Sequence, residues 1–214
     1  MGPPFLLLDV DNTLYAPSCG IVQRVDARIN RYLVERIGVA AEEVDRVRRR
    51  LRGAHGTTLC GLMVRASVDP DDYLRFVHAL DLGALLAPDP ALRALLARLP
   101  LLKVAVTNGS LAHARGVLAR LGVQDLFFRV FSLERLGYLP KPFVHAYQVV
   151  LAGLHARGRD CILVEDSAPN LRTARQLGMR TVHVADGGPA APDAEAVIGA
   201  IHELEAALAG LRAP

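Results

Sequence analysis

The sequence predicts an α/β fold, a three-layer, Rossmann-like α/β/α sandwich built on a parallel sheet and interrupted early by an all-helical insertion. Three observations carry this. Apolar runs too short for helices end in polar residues, beginning with Phe5-Leu6-Leu7-Leu8. From Pro88 onward such runs alternate with segments of helical periodicity, and repeated βα units place helices on both faces of a parallel sheet. Between Pro17 and Leu86 only helical periodicity occurs, which cannot extend a sheet and reads as an inserted cap. The resulting division is a core of residues 1–16 plus 87–214 and a helical cap of residues 17–86.

Each element has its own local cause. The first apolar run reads as a fully buried strand and ends in Asp9-Val10-Asp11-Asn12-Thr13, an acid pair followed by turn formers. A loop with Pro17 and Gly20 precedes a helix whose stripe is Val22, Val25, Ile29, Leu33 and Ile37, stopped by Gly38. A second stripe of Val44, Val47 and Leu51 ends at Gly53, and 55–62 reads as a turn entering a short helix. Asp69-Pro70 supplies an N-cap and a proline at the first helical position, ahead of Tyr73, Phe76, Val77 and Leu80. Pro88-Asp89-Pro90 is the hinge back to the core. A helix over 91–99, a strand over 103–107 and a helix over 111–121 follow, the last capped by Ser110 and closed by Gly122. A strand over 129–132, a helix over 143–157, a strand over 162–165 and a helix over 168–177 come next. A strand over 180–184, a loop over 186–193 and a terminal helix over 194–211 complete the chain.

Composition narrows the function classes. A chain of 214 residues, 51% apolar and 22% charged, can bury a full core and has an ordinary globular balance. The net charge is only +3 and the basic residues are spread along amphipathic segments without interleaved aromatics, so no nucleic-acid polymer is expected as a partner. Arg48-Arg49-Arg50 reads as a solvated helix face. The three cysteines lack Cys-x-x-Cys spacing, which argues against a disulfide framework or a zinc site and suits a reducing cytoplasm. No basic n-region opens the chain and no stretch approaches ~20 apolar residues, so a cytoplasmic protein without a membrane partner is expected.

In a parallel α/β sheet the functional groups gather beyond the carboxyl ends of the strands. There the reading places Asp9 and Asp11, Thr107 and Asn108, Glu165 and Asp166, with Lys141, one of only two lysines, in the loop after the third strand. Taken singly, the acid pair is an Asp-rich turn, Thr107-Asn108-Gly109 a turn and Lys141-Pro142 a chance dipeptide. Taken together they offer hard oxygen ligands that suit Mg²⁺, a hydroxyl and an ammonium that suit phosphate oxygens, and a carboxylate placed as a nucleophile toward phosphorus. His113 and His145 read as surface helical histidines, and Cys60 and Cys161 as small packed hydrophobes. Asn12 and Thr13 are expected to fix the turn through side-chain to backbone bonds.

Asp9-Val10-Asp11-Asn12-Thr13, Thr107-Asn108, Lys141-Pro142 and Glu165-Asp166-Ser167-Ala168-Pro169-Asn170 resemble the four motifs of the haloacid dehalogenase-like (HAD-like) hydrolase superfamily. The segment 55–62 and Asp11-Asn12-Thr13-Leu14-Tyr15 further resemble the pyrimidine 5′-nucleotidase branch. Two departures bear on the substrate: Gly53, Ala54 and His55 stand where that branch places aromatics before Gly-Thr-Thr, and Phe143-Val144-His145 replaces a more usual Asp-Pro after Lys141-Pro142. The resemblance implies a HAD-like core with a C1-type cap and a Mg²⁺-dependent phosphomonoester hydrolase that passes through an aspartyl-phosphate. Asp9 would be the nucleophile and Asp11 the general acid, then base; dehalogenases of this superfamily lack that acid and transport ATPases carry threonine there. Asp9, the backbone carbonyl of Asp11 and Asp166 would hold Mg²⁺, with Glu165 nearby directly or through water. Thr107 and Lys141 would bind the phosphoryl group, and Asn170 would hold the Asp166 loop. Asn108 and the cap residues His55, Thr57 and Thr58 would contact substrate, a small phosphorylated metabolite such as a nucleoside 5′-monophosphate. Thr57 and Thr58 equally suit a plain helix cap. A sugar-phosphate phosphatase or phosphomutase is the alternative enzyme reading. A phospho-accepting signalling domain of the receiver type is a non-enzyme alternative, disfavoured by the motif order and the cap. A catalytically silent interaction module is weakened because no catalytic position is lost.

Overall fold

The structure, a computed structural model, describes residues 5–211, so 1–4 and 212–214 of the expected core lie outside the described residues. β1 (Phe5–Leu8) is followed by four helices, α1 (Ile21–Glu35), α2 (Val44–His55), α3 (Thr58–Ala66) and α4 (Pro70–Val77). The chain then alternates through α5 (Pro90–Arg98), β2 (Leu102–Val106), α6 (Leu111–Leu121), β3 (Phe127–Phe131), α7 (Val144–Leu154) and β4 (Cys161–Glu165). It ends with α8 (Ala168–Gln176), β5 (Arg180–Val184), β6 (Ala196–Ile198) and α9 (Leu204–Leu211). Among the described residues six strands form one parallel sheet in the order β3-β2-β1-β4-β5-β6. From β1 the chain first builds outward through β2 and β3, then crosses back to β4 on the other side. This reversal leaves a crevice at the carboxyl end of β1, where α/β sheets bind ligands.

Leu6, Leu7 and Leu8 are fully buried because β1 is covered on both faces, which is why no polar residue interrupts it. Successive side chains point to opposite faces. Leu6 and Leu8 join Ala105, Val164, Leu96, Leu118 and Leu204 on one side, while Leu7 joins Val104, Val106, Leu163, Tyr147 and Val150 on the other. The helices α1–α4 bury a third cluster of their own, including Leu33, Val44, Leu51, Leu59, Tyr73 and Val77. Edge-to-face packing of Tyr32 on Tyr73 and Phe76, with ring centroids 4.9 and 5.2 Å apart, fixes how α4 crosses α1.

Three expectations are corrected. α2 runs through Gly53 and stops at Gly56, whose φ of +81° is the conformation that favours glycine. The span 194–211 is not one helix: Ala196-Val197-Ile198 pairs with β5, and α9 begins only at Leu204. The Ala- and Leu-rich composition around this three-residue strand conceals it. Arg48 is buried rather than solvated, paired with Asp26 and donating from Nη1 to Asn30 Oδ1 at 2.7 Å; Arg49 and Arg50 are exposed. Among the described residues no helix is long and apolar enough to cross a membrane.

Candidate active site

β1 delivers Asp9, whose backbone N–H still bonds Val164 O at 3.0 Å, and the chain then turns sharply. Asn12 takes the left-handed conformation at φ +60°, which asparagine tolerates better than most residues. Leu14 N–H returns to Val10 O at 3.1 Å, closing the turn. Thr13 does not bond the backbone through its side chain as expected; its hydroxyl donates to Asp9 Oδ2 at 3.3 Å. Lys141 reaches in from the loop before α7, donating from Nζ to Asp9 Oδ1 at 2.7 Å and to Glu165 Oε2 at 2.6 Å. Its backbone is held by Asn108, whose Nδ2 donates to Lys141 O at 2.9 Å and whose Oδ1 accepts Lys141 N–H at 2.8 Å. Asn108 is therefore a strut for the lysine, with both polar atoms engaged. Thr107 is buried and its Oγ1 accepts Gly109 N–H at 2.9 Å, which leaves its own hydroxyl proton to donate into the crevice.

The charge balance of this cluster is unusual. Burial and the neighbouring Glu165 push Asp9 up to about 7 against the pull of Lys141. Burial, with Asp166 adding to it, likewise pushes Glu165 up to about 7. Asp166 is raised by burial and by Asp9. Burial disfavours the Lys141 ammonium, yet Asp9 and Glu165 override that and raise its pKa. Carboxylate oxygens of Asp9, Glu165 and Asp166 lie within 4.8 Å of one another. Three carboxylates against one ammonium leave two negative charges, and an all-oxygen donor set with that deficit fits a hard divalent cation. Glu165 is bonded at Oε2 by Lys141 and at Oε1 by Ser167 N–H at 3.2 Å, and Asp9 at Oδ1 by Lys141 and, at a longer 3.3 Å, at Oδ2 by Thr13, so Asp166 has the freest oxygens.

Asp11 sits in a different setting. Tyr15 donates its hydroxyl to Asp11 Oδ1 at 2.6 Å, and His113 Nε2 lies 2.7 Å from the same oxygen. An ionised carboxylate only accepts, so Nε2 carries the proton. Burial would raise Asp11, but these bonds, that from His113 foremost, outweigh it and hold the carboxyl below its usual range. His113 is thus no surface residue: its side chain is 1% exposed. Its ring stacks on His78 at the end of α4, with centroids 4.5 Å apart and planes 25° from parallel. Position could have revealed it, because the first turn of a helix that follows a strand starts at the same sheet edge as the acids. His145 is exposed as expected, and Cys161 and Cys60 are packed as expected.

The helical insert closes over this edge. Thr57 and Thr58 line a cavity of about 200 Å³ together with Arg48, Arg52, His78 and Asn108. Thr57 is also the N-cap of α3, accepting Cys60 N–H at 3.1 Å. His55 does not belong to this lining; it ends α2 and its Nε2 is buried without a partner. The insert rests on the segment after β3: Cys60 Sγ lies 3.1 Å from Tyr138 O, and Tyr138 donates its hydroxyl to Asp71 at 2.7 Å. Phe143 packs so closely on Gly56 that any Cβ there would lie 2.6 Å from its ring.

The chain matches known proteins over most of its length. The sequence profile described as haloacid dehalogenase-like hydrolase matches residues 5–178. A HAD phosphatase from Thermococcus onnurineus superposes with a TM-score of 0.65 at 20% identity, over 97% of this chain and 98% of that one. A 2-haloacid dehalogenase from Pseudomonas syringae pv. Tomato DC3000 gives 0.62 at 22% identity, over 98% and 100%. The L-2-haloacid dehalogenase from Xanthobacter autotrophicus, with chloropropionic acid covalently bound, gives 0.62 at 16% identity, over 98% and 100%. Likeness at these identities speaks to the fold alone, whereas the profile match spans four motifs that meet at one sheet edge: the chain belongs to the haloacid dehalogenase-like hydrolases.

Proposed function

We propose that this hydrolase is a Mg²⁺-dependent phosphomonoesterase that works through an aspartyl-phosphate, with nucleoside 5′-monophosphates as its substrate class and α1–α4 (residues 17–86) as its cap. The carrying observation is Asp11, a carboxylate two residues beyond the Lys141-bonded Asp9, at a position where the dehalogenases of the superfamily lack an acid. A dehalogenase displaces halide, which needs no proton, so an acid there has work only with an oxygen leaving group.

In this reading Asp9 attacks phosphorus, forming an acyl-phosphate bond as the bond to the leaving oxygen breaks. Lys141 and the free Thr107 hydroxyl hold the phosphoryl oxygens, and Asp11, which rests ionised and must take up a proton on Oδ2 in the substrate complex, gives that proton to the departing alkoxide. In the second half-reaction Asp11 takes a proton from water as that water attacks phosphorus, and Asp9 is regenerated. Asp9, Asp166 and the Asp11 carbonyl would hold Mg²⁺, with Glu165 in support. Bound there, the ion would neutralise charge on the phosphoryl group and on Asp9. Asn108 fixes Lys141, and the largely apolar cavity of about 200 Å³, lined by Leu59, Tyr73 and Val77 with Thr58 and Arg52, would take the base, offering its acceptor atoms a hydroxyl and a guanidinium.

A panel of an aryl phosphate, nucleoside monophosphates, sugar phosphates and 2-haloacids tests this. Expected is Mg²⁺-dependent phosphate release, abolished by chelator and by Asp9→Asn, with a nucleoside monophosphate as best substrate. Halide release without phosphate release overturns the reading, and isomerised sugar phosphate redirects it to a mutase.

A further inference from the structure

We propose that His113 and Tyr15 form a two-donor clamp that aims Asp11 at the leaving group, and that His78 of the insert sets this clamp by holding the His113 ring. What Asp11 does there rests on the phosphomonoesterase reading; the clamp itself rests on contacts within the chain.

Both donors converge on one oxygen: Tyr15 Oη at 2.6 Å and His113 Nε2 at 2.7 Å from Asp11 Oδ1. Two bonds to a single oxygen fix the carboxyl plane and leave Oδ2 as the free end. Oδ2 lies on the Gly109 side, where a Cβ would meet His113 Cδ2 at 3.1 Å, Thr107 Oγ1 at 3.2 Å and Oδ2 itself at 3.5 Å. The free oxygen of Asp11, the hydroxyl of Thr107 and the edge of the His113 ring thus converge on one small space that a glycine at 109 leaves unfilled. Tyr15 belongs to the same turn as Asp11 and moves with it. His113 comes from α6, 102 residues further along the chain, and so registers Asp11 against the body of the sheet.

What orients the imidazole is the second part. A buried ring nitrogen usually finds a hydrogen-bond partner, but among the described residues His113 Nδ1 has none. The ring is instead held on its face by His78, 4.5 Å away and 25° from parallel. His78 is itself anchored, its Nδ1 lying 3.1 Å from Leu74 O. Leu74 and His78 belong to the end of α4, so the face of His113 is covered only while the insert is seated. Seating of the insert is thereby read at Asp11 through one stacked pair. His113 touches no reacting atom, which makes it a positioning residue.

The experiment uses the full-length, Mg²⁺-loaded protein and single-turnover phosphoryl transfer from an aryl and an alkyl phosphate, whose leaving groups differ in their need for an acid. His113→Leu is expected to slow the alkyl phosphate about tenfold or more, within the range of a lost general acid, with a several-fold smaller fall for the aryl phosphate and little change in KM. His113→Gln, which returns an N–H near the Nε2 position, is expected to recover most of the loss. His78→Ala should show the same bias at lower amplitude. Equal losses for both substrates, or a glutamine no better than leucine, would show a ring that merely fills space and would overturn the clamp. If the leucine variant does not fold, Tyr15→Phe decides, since an unchanged alkyl-to-aryl ratio there overturns it too. A second readout is independent of turnover: in ¹⁵N-histidine NMR an exchange-protected Nε2-bound proton is expected, displaced in Asp11→Asn, and a spectrum indifferent to that substitution rejects the contact. A wild-type protein that releases phosphate from neither substrate would end the phosphomonoesterase reading, while the NMR arm still decides the clamp.

Discussion

Asp9 and Glu165 show how a single buried lysine leaves an acid cluster undercompensated. Folded and free of metal, each ionises near pH 7, whereas in the unfolded chain each has ionised by about pH 5. Between those values the folded state holds more protons than the unfolded state, so this contribution to stability is fully present at low pH and lost as pH rises toward 7. Metal-free protein is therefore expected to resist denaturant better at pH 5 than at pH 8, with the difference reduced in Glu165→Gln. Mg²⁺ should stabilise more at pH 8, where the carboxylates are charged. A stability that rises steadily over this range, in wild type and variant alike, would contradict the undercompensated cluster. At this scale much was legible in the sequence. Asp9, Asp11, Thr107, Lys141, Glu165 and Asp166 each follow a strand or sit in the adjoining loop, and strand ends can be read from apolar runs. That His113 stands at the acids' sheet edge was legible from its place in the first turn of α6, but its burial was not, because that depends on a ring brought by α4. Asn108 was legible as a site residue but not as a strut, since its partner is the backbone of Lys141.

At the scale of the element, the start of α3 separates two jobs held by adjacent threonines. Thr57 accepts Cys60 N–H and caps the helix, so Thr57→Ala is expected to cost about 1 kcal/mol of stability. Thr58 is buried and lines the cavity beside Asn108. Thr58→Val should lower kcat/KM for the best nucleotide about tenfold, or ~1.4 kcal/mol, while sparing a small aryl phosphate. Parallel losses for both substrates would place Thr58 in the fold instead of the recognition of the leaving group. His55, outside the lining, is not expected to discriminate between substrates. The helices themselves were readable because caps and stops are chemical: Ser110, Asp69-Pro70 and Gly122 act where the residue types say they should. Gly53 misled because a glycine stops a helix only where φ turns positive, and that residue is Gly56. β6 escaped because three residues carry too little alternation to stand out, and its partner β5 is what makes it a strand.

Over the whole molecule, the sheet and the insert are separately cored. Two apolar clusters sandwich the sheet, while α1–α4 enclose a third; the two sides are tied by Leu133 and the partly buried Tyr138 from the core and by Ile21 and Val25 at the start of α1, which pack into a sheet cluster. A unit tied to its neighbour by so few apolar residues opens on its own more readily than strands buried on both faces. Native-state hydrogen exchange is expected to show amides of α1–α4 opening together, about tenfold or more faster than those of β1, β2 and β4. Opening of both regions at one common free energy would show a single cooperative body. This separation has a consequence for heredity. Most positions that line the small cavity belong to α1–α4 and touch neither Asp9, Lys141 nor Asp166; Asn108 and His78 are the lining residues through which a substitution would reach the bond-breaking apparatus. A lineage built on this plan can change which esters it accepts by drift in one segment while inheriting its chemistry unchanged from the other.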